Sequence, residues 1–258
     1  MRFASLGSGS AGNGLLVEEA GTRLLLDCGF GLRDTAARLA RLGVAAESLT
    51  GIVITHEHDD HAGGAFKFAN KYRIPVWMTH GTQVMAERYM PATGGDFEIC
   101  LIDSHEAIGI QDIQLQPFPV PHDAREPVQY TFSNGSKKLG VLTDTGTSTA
   151  HIEQMLSGCD ALVLECNHDL EMLMNGPYAR PLKQRVNSRL GHLDNASSAQ
   201  LLAKLDNSRL QHIIAAHLSA QNNHPQLAKS ALSDVLSCDQ EWIGIADQAL
   251  GFDWREIA

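Results

Sequence analysis

Long hydrophobic runs are missing from this 258-residue chain. None approaches the roughly 20 apolar residues of a membrane-spanning helix, so no such span is expected. Residues 1–5 bring no apolar stretch before Gly and Ser arrive, and a signal peptide is not expected either. Cysteine is scarce and scattered: Cys28, Cys100, Cys159, Cys166 and Cys238 form no C-x-x-C pair. An odd, dispersed set excludes a disulfide framework and reads as free thiols in a reducing compartment, with the cytoplasm as the expected location. Positive charge is also short, with 20 Lys and Arg against 30 Asp and Glu and a net charge of −10. That weighs against nucleic-acid binding by bulk electrostatics. Aromatic residues make up 6% of the chain and supply no base-stacking stripe. There is no fixed-period repeat, low-complexity segment or long linker.

One stretch runs against the acidic balance. Residues 172–193 hold Arg180, Lys183, Arg185 and Arg189 and no acidic residue. The plain reading is a solvated basic face; the functional one is a local path for an anionic substrate.

The apolar fraction of 43% is ample for a sizeable core, in one large α/β domain or two small ones. Short apolar or β-branched runs alternate with helix-like stretches, as in layered α/β domains. Strands are predicted at 15–17, 23–26, 51–55, 76–79, 113–118, 128–132, 138–142, 161–164, 212–215 and 242–245. Helices are predicted at 33–42, 63–71, 82–89, 152–156, 195–205 and 226–236. The Asn134-Gly135 pair between two predicted strands signals a hairpin.

The segment from His56 to His61 packs three imidazoles and three carboxylates into six residues, directly after the apolar run Gly51-Ile52-Val53-Ile54. Imidazole and carboxylate are ligands of zinc, manganese and iron. The spacing is too irregular for one helix face and fits a tight loop around ions. It is not the helix-borne H-E-x-x-H motif, because Asp60 stands where the second His belongs. Residues of ligand type also end other strand runs: Asp27, His122, Asp144, Glu165 and His217. If those strands share a direction, these side chains gather at one sheet edge, where sites in α/β proteins sit. A chance cluster is the bland alternative for any one of these positions; together they favour a metal site.

The order Asp27, then His56-x-His58-x-Asp60-His61, then His122, Asp144 and His217 resembles the metallo-β-lactamase fold superfamily. Three further stretches are similar to its YycJ-type branch, also called WalJ or VicX, a group of nuclease-like proteins. They are Gly7 to Asn13, Glu165-Cys166-Asn167-His168-Asp169 through Gly176-Pro177-Tyr178, and Arg189 to Asn195. That branch usually has Ser where Asp194 stands. Ribonuclease Z is a more distant relative, with comparable segments around His192 and His217-Leu218-Ser219. The resemblance implies an αββα sandwich of two facing mixed β-sheets with outer helices, as a single domain over residues 1–258.

It also implies two divalent ions, whether zinc, manganese or iron. By position, His56, His58 and His122 would hold one ion. Asp60, His61 and His217 would hold the other, with Asp144 bridging. A hydroxide between the ions would attack phosphorus, oriented by Asp60, and the residual positive charge suits a phosphodiester. His192 is the candidate general acid, by similarity to ribonuclease Z, against a plain reading as a loop or capping His. His168 is a second catalytic candidate, weighed against a structural role. Asp27 and Glu165 are expected as outer acceptors that fix the ligand imidazoles. Glu57 and Asp59 are expected to be exposed. Ser10 and Asn13 in the glycine-serine opening are candidate substrate contacts, or merely turn residues. Arg180, Lys183, Arg185 and Arg189 are candidate contacts to a nucleic-acid backbone.

The expected activity is therefore a dinuclear phosphodiesterase, a DNA exonuclease with the 5′-to-3′ polarity that the branch suggests. The 72 residues between Asp144 and His217 leave no room for the large cap of β-CASP nucleases. No arm of the tRNA-processing type is evident. A small-molecule hydrolase acting on a lactone, thioester or cyclic phosphodiester stays open, because fold does not fix function. So does a non-catalytic metal-binding regulator.

Overall fold

Leu15 and Val17 point to one side of their strand and Leu16 to the other, and all three are buried. The same alternation recurs at Leu24, Leu25 and Leu26 and at Val163 and Leu164. Strands buried on both faces read as near-continuous apolar runs, and they require a layer on each side. A computed structural model describes residues 1–92 and 94–258 and shows those layers.

The first sheet contains β1 (Arg2–Gly7), β2 (Gly14–Glu19), β3 (Thr22–Leu26), β4 (Gly51–Val53), β5 (Val76–Thr79) and β6 (Ile99–Ile102). The second contains β7 (Ile108–Ile110), β8 (Ile113–Pro119), β9 (Val128–Ser133), β10 (Lys138–Leu142), β11 (Ala161–Glu165), β12 (His212–Ala216) and β13 (Ile243–Ile245). The last strand, β14 (Phe252–Glu256), returns to pair antiparallel with β1 and makes each sheet seven-stranded. The order is β14-β1-β2-β3-β4-β5-β6 in one sheet and β13-β12-β11-β10-β9-β8-β7 in the other. Each sheet is antiparallel at its start and parallel afterwards, from β3 to β6 and from β10 to β13. These are the two facing mixed sheets that the sequence implied.

Helices cover the outer faces: α1 (Leu32–Arg41), α2 (Asp59–Ala62), α3 (Ala65–Tyr72) and α4 (His80–Ala86) in the first half. The second half carries α5 (Ala150–Leu156), α6 (Leu170–Asn175), α7 (Arg180–Val186), α8 (Asn195–Lys204) and α9 (Pro225–Leu236). One core lies between the sheets, with Phe3, Tyr130 and Phe132. Two more lie between each sheet and its helices, around Phe66 and Phe68 and around Phe118 and Leu162.

Several expectations need correction. Strands β1, β6, β7 and β14 were not predicted: Ser, Gly or charged residues interrupt β1, β7 and β14, and β6 is a four-residue edge strand. Trp242 lies in a 3-10 turn before β13 rather than in the strand. The helix expected at 82–89 is α4 followed by the 3-10 turn Glu87–Tyr89. The segment expected as a tight loop is half helix: His58 precedes the first turn of α2, which carries Asp59, Asp60 and His61. The Asn134-Gly135 hairpin is present, pairing Ser133 with Lys138.

A candidate metal centre at the strand ends

Parallel direction within each sheet brings the strand ends together. Asp27 follows β3, and His56 and His58 follow β4. His122 follows β8, Asp144 follows β10, Glu165 ends β11 and His217 follows β12. Asp27, Asp144 and His217 all adopt left-handed backbone, with φ of 58°, 61° and 55°. Non-glycine residues do this at a cost of order 1–3 kcal/mol, and such residues cluster at functional sites. Gly29 makes room for α2, since a Cβ there would lie 1.9 Å from the Asp60 carbonyl oxygen.

Ligand atoms of His56, His58 and His122 lie within 4.8 Å of one another, as do those of Asp60, His61 and His217. Asp144 groups with His56 and His61, and also with Glu165, His192 and His217. It therefore stands between the two sets.

Outer partners fix the imidazoles. His61 Nδ1 donates to Asp27 Oδ2 at 2.7 Å. Its Nε2 lone pair then confronts Asp144 Oδ2 at 3.0 Å and Asp60 Oδ2 at 3.5 Å. Asp144 Oδ2 is buried and accepts no hydrogen bond. His122 Nδ1 donates to the Gly191 carbonyl at 3.1 Å, which turns its Nε2 lone pair toward His58 Nδ1 at 3.3 Å. His56 Nε2 faces the same His58 nitrogen at 2.9 Å. Lone pairs and carboxylates facing one another at such distances fit bound cations. The electrostatics differ between the sets. Burial opposes protonation of His61 and His217, but Asp144 and Asp60 hold both imidazoles up, so positive charge is favoured there, whereas the first set is held neutral. Burial, with neighbouring imidazoles, holds His56 well below the usual range. Burial likewise pushes His122 down to about 4, keeping both in the neutral form that binds metal. Burial opposes charge on Asp60, yet His61 and His217 hold its carboxyl well below the usual carboxylate range. The residues present thus fit two divalent ions.

His192 differs from these. Its Nδ1 donates to Glu165 Oε1 at 2.7 Å, while Glu165 Oε2 accepts from the backbone of Thr145 and Leu193. Burial opposes protonation, but the Glu165 carboxylate prevails and lifts His192 to about 9. Gly191 shapes the approach, because a Cβ there would sit 2.2 Å from the Val186 carbonyl oxygen.

A cavity of about 400 Å³ opens over this centre, and Ser10, His58, Asp60, Asp144, His192 and His217 line it. Of the four basic residues, Arg185 alone lines it, paired with Asp123 at 2.6 Å. Arg180 and Lys183 border a different hollow, and Arg189 lines neither. Asn13 is turned into its own loop and toward α2. Its Oδ1 accepts from Ser8 and Gly9 and its amide donates to the Asp60 carbonyl, so it holds the ligand segment from behind. His168 is fully buried and is not among the residues that line the cavity. Its Nδ1 lies against Asn167, whose amide nitrogen is 3.2 Å from His217 Nδ1. Glu165 supports His192 rather than a member of either ligand set. Glu57 is buried, not exposed, and accepts from the Arg125 backbone.

Sequence reasoning missed Asp123, Arg88 and Tyr178, which also line the cavity. Asp123 adjoins His122, and its Oδ1 lies 3.4 Å from His122 Nε2. A carboxylate beside a strand-end His was the available signal. Arg88 arrives from a distant segment and carried none, whereas Tyr178 closes the Gly176-Pro177-Tyr178 stretch that the resemblance had already singled out.

A model of the beta-lactamase superfamily domain matches residues 22–213. The chain is 35% identical over 248 residues to exodeoxyribonuclease YycJ of Bacillus anthracis, covering 96% of this chain and 92% of that protein. It is 32% identical over 255 residues to exodeoxyribonuclease WalJ of Streptococcus pneumoniae serotype 2, covering 98% and 92%. Among solved structures, the metallo-β-lactamase fold protein YhfI from Bacillus subtilis aligns with a TM-score of 0.74 at 18% identity, covering 99% of both chains.

Proposed function

The chain belongs to the metallo-β-lactamase superfamily, in the branch of the YycJ and WalJ proteins, and from that premise we propose a dinuclear phosphodiesterase that degrades DNA from an end, 5′ to 3′. At the coarser level it is a metal-dependent hydrolase of phosphodiester bonds. The observation that carries the dinuclear reading is Asp144, whose buried Oδ2 has no hydrogen-bond partner and whose carboxylate groups with both sets of ligand atoms.

His56, His58 and His122 would hold one ion, Asp60, His61 and His217 the other, and Asp144 would touch both. Bound divalent cations supply Lewis-acid charge and lower the pKa of water, which ester hydrolysis at neutral pH requires. Zinc, manganese and iron all suit this mixed set of nitrogen and oxygen donors. Asp60, at the cavity wall, orients the attacking water. His192 enters the reaction protonated, because Glu165 stabilises its charge, and gives that proton to the departing sugar oxygen. Arg185 receives a phosphate at the rim, with Asp123 fixing its guanidinium. The five free cysteines suit a reducing, cytoplasmic setting.

A small cyclic phosphodiester is the second reading, since about 400 Å³ is the size of a small-molecule site. End-labelled linear DNA, single- and double-stranded, separates the two. The metal-loaded protein should release short products from one end, their ladder giving polarity, and Asp60→Ala/His61→Ala should release none. Turnover of a cyclic phosphodiester with intact DNA would overturn the DNA reading.

A further inference from the structure

Helix α7 has no buried residue, yet it stands as a wall between two hollows. Leu182, Arg185 and Val186, spaced three and four apart, face the catalytic cavity. Arg180, Lys183, Gln184 and Asn187, on the same helical spacing but another face, line a second hollow of about 500 Å³ with Met174 at its side. The flanking segment exposes Leu170, Met174, Leu182 and Leu190, four of the ten large exposed apolar residues among those described. Charge there is one-sided, with no acidic residue between Met172 and Leu193 in a chain of net charge −10. Lys183 uses one of its three donors on the Met174 carbonyl and keeps two.

We propose that this second hollow is a distal subsite for single-stranded nucleic acid, reached by a strand that leaves the catalytic cavity over α7. The inference rests on the proposed nuclease reading and extends it. Cationic side chains facing an otherwise acidic molecule select a polyanion. Arg180 and Lys183 are spaced along one helix face, so they suit successive phosphates rather than a single anion. Met174, 46% exposed at the side of this hollow, offers apolar contact to an unpaired base, which a duplex keeps hidden. A helix with its side chains is about 10–12 Å thick, so a mononucleotide in the cavity does not reach the far side. The distal subsite therefore reads substrate length.

The test compares kcat/KM of the metal-loaded protein on single-stranded oligothymidylates of 3 and 12 nucleotides at several salt concentrations. The wild type should prefer the longer strand. Arg180→Glu/Lys183→Glu should lower the 12-to-3 ratio by about tenfold. It should also flatten the salt dependence on the 12-mer by about 0.7 for each phosphate the variant no longer neutralises. Arg180→Gln/Lys183→Gln should fall in between, which guards against a folding defect in the reversal. Lys67→Glu/Lys71→Glu on α3 makes the same change in net charge outside both hollows and should leave the ratio unaltered. An unchanged ratio in Arg180→Glu/Lys183→Glu, or an equal fall in the α3 pair, overturns the subsite while the nuclease reading stands. A protein that binds its ions and cleaves neither oligonucleotide overturns the nuclease reading, and the subsite with it.

Discussion

His61, Asp144 and His217 are at most 2% exposed, whereas Leu182, Met174 and Leu190, on the segment beside the same cavity, are 39%, 46% and 50% exposed. In the first group, Asp144 and His217 follow central strands on left-handed backbone, and His61, on α2, is held from behind by Asp27. The second sits on α6, α7 and the following loop, where only Arg185 is braced by an ion pair across the cavity. The difference follows from what each region does. Metal ligands must keep their lone pairs converging, so the core immobilises them. A substrate grip must admit a chain and release it, so it is built on exposed surface with few packing constraints.

Mutations can break this contrast, and the largest effect should come from the buried ring. Replacing Asp144 with Ala removes the carboxylate common to both ligand sets. Activity should fall to background and bound metal to one equivalent or fewer, read by elemental analysis. Retention of two ions would show that Asp144 is not the bridge. His192→Ala should lower kcat by about 10²–10⁴ while leaving metal content unchanged, which separates proton delivery from ion binding. Loss of metal in that variant would place His192 among the ligands instead. Asp27→Asn should weaken metal affinity by about 10–100-fold, measured by competition with a chelating dye, because His61 exchanges a charged carboxylate acceptor for a neutral amide. The exposed segment should respond more gently. Arg185→Glu should cost about 1–3 kcal/mol in kcat/KM on DNA, chiefly through KM, with metal content intact. Leu182→Ala should be smallest, changing folding stability by less than about 0.5 kcal/mol in denaturant unfolding, because its side chain is already wet. A larger destabilisation would mean that α7 is packed more firmly than its exposure shows.

The same contrast explains what could be read in advance. The cluster from His56 to His61 and the polar residues ending Leu24-Leu25-Leu26 or Leu162-Val163-Leu164 are local patterns, so they survive in a linear sequence. Residues in α7 carry no buried apolar stripe, so its helical form, and the division of Arg180 and Arg185 between two hollows, were invisible. Asn13 shows where local reading stops. A polar side chain in a glycine-rich loop suggested a substrate contact or a turn residue. It does hold its own turn through Ser8 and Gly9, but its bond to the Asp60 carbonyl on α2, more than forty residues away, was out of sight. The burial of His168 was equally out of sight, since burial is a tertiary property. Strands β1 and β14 were missed because Ser5, Gly7 and the charged residues of Phe252–Glu256 break their apolar pattern.

Stepwise metal titration of metal-free protein, followed by calorimetry and by cleavage of end-labelled single-stranded DNA in the same samples, tests the central claim most directly. Two equivalents should bind, and cleavage should appear only as the second site fills. Full cleavage at one equivalent, or two bound ions with no cleavage of DNA, would contradict a dinuclear nuclease.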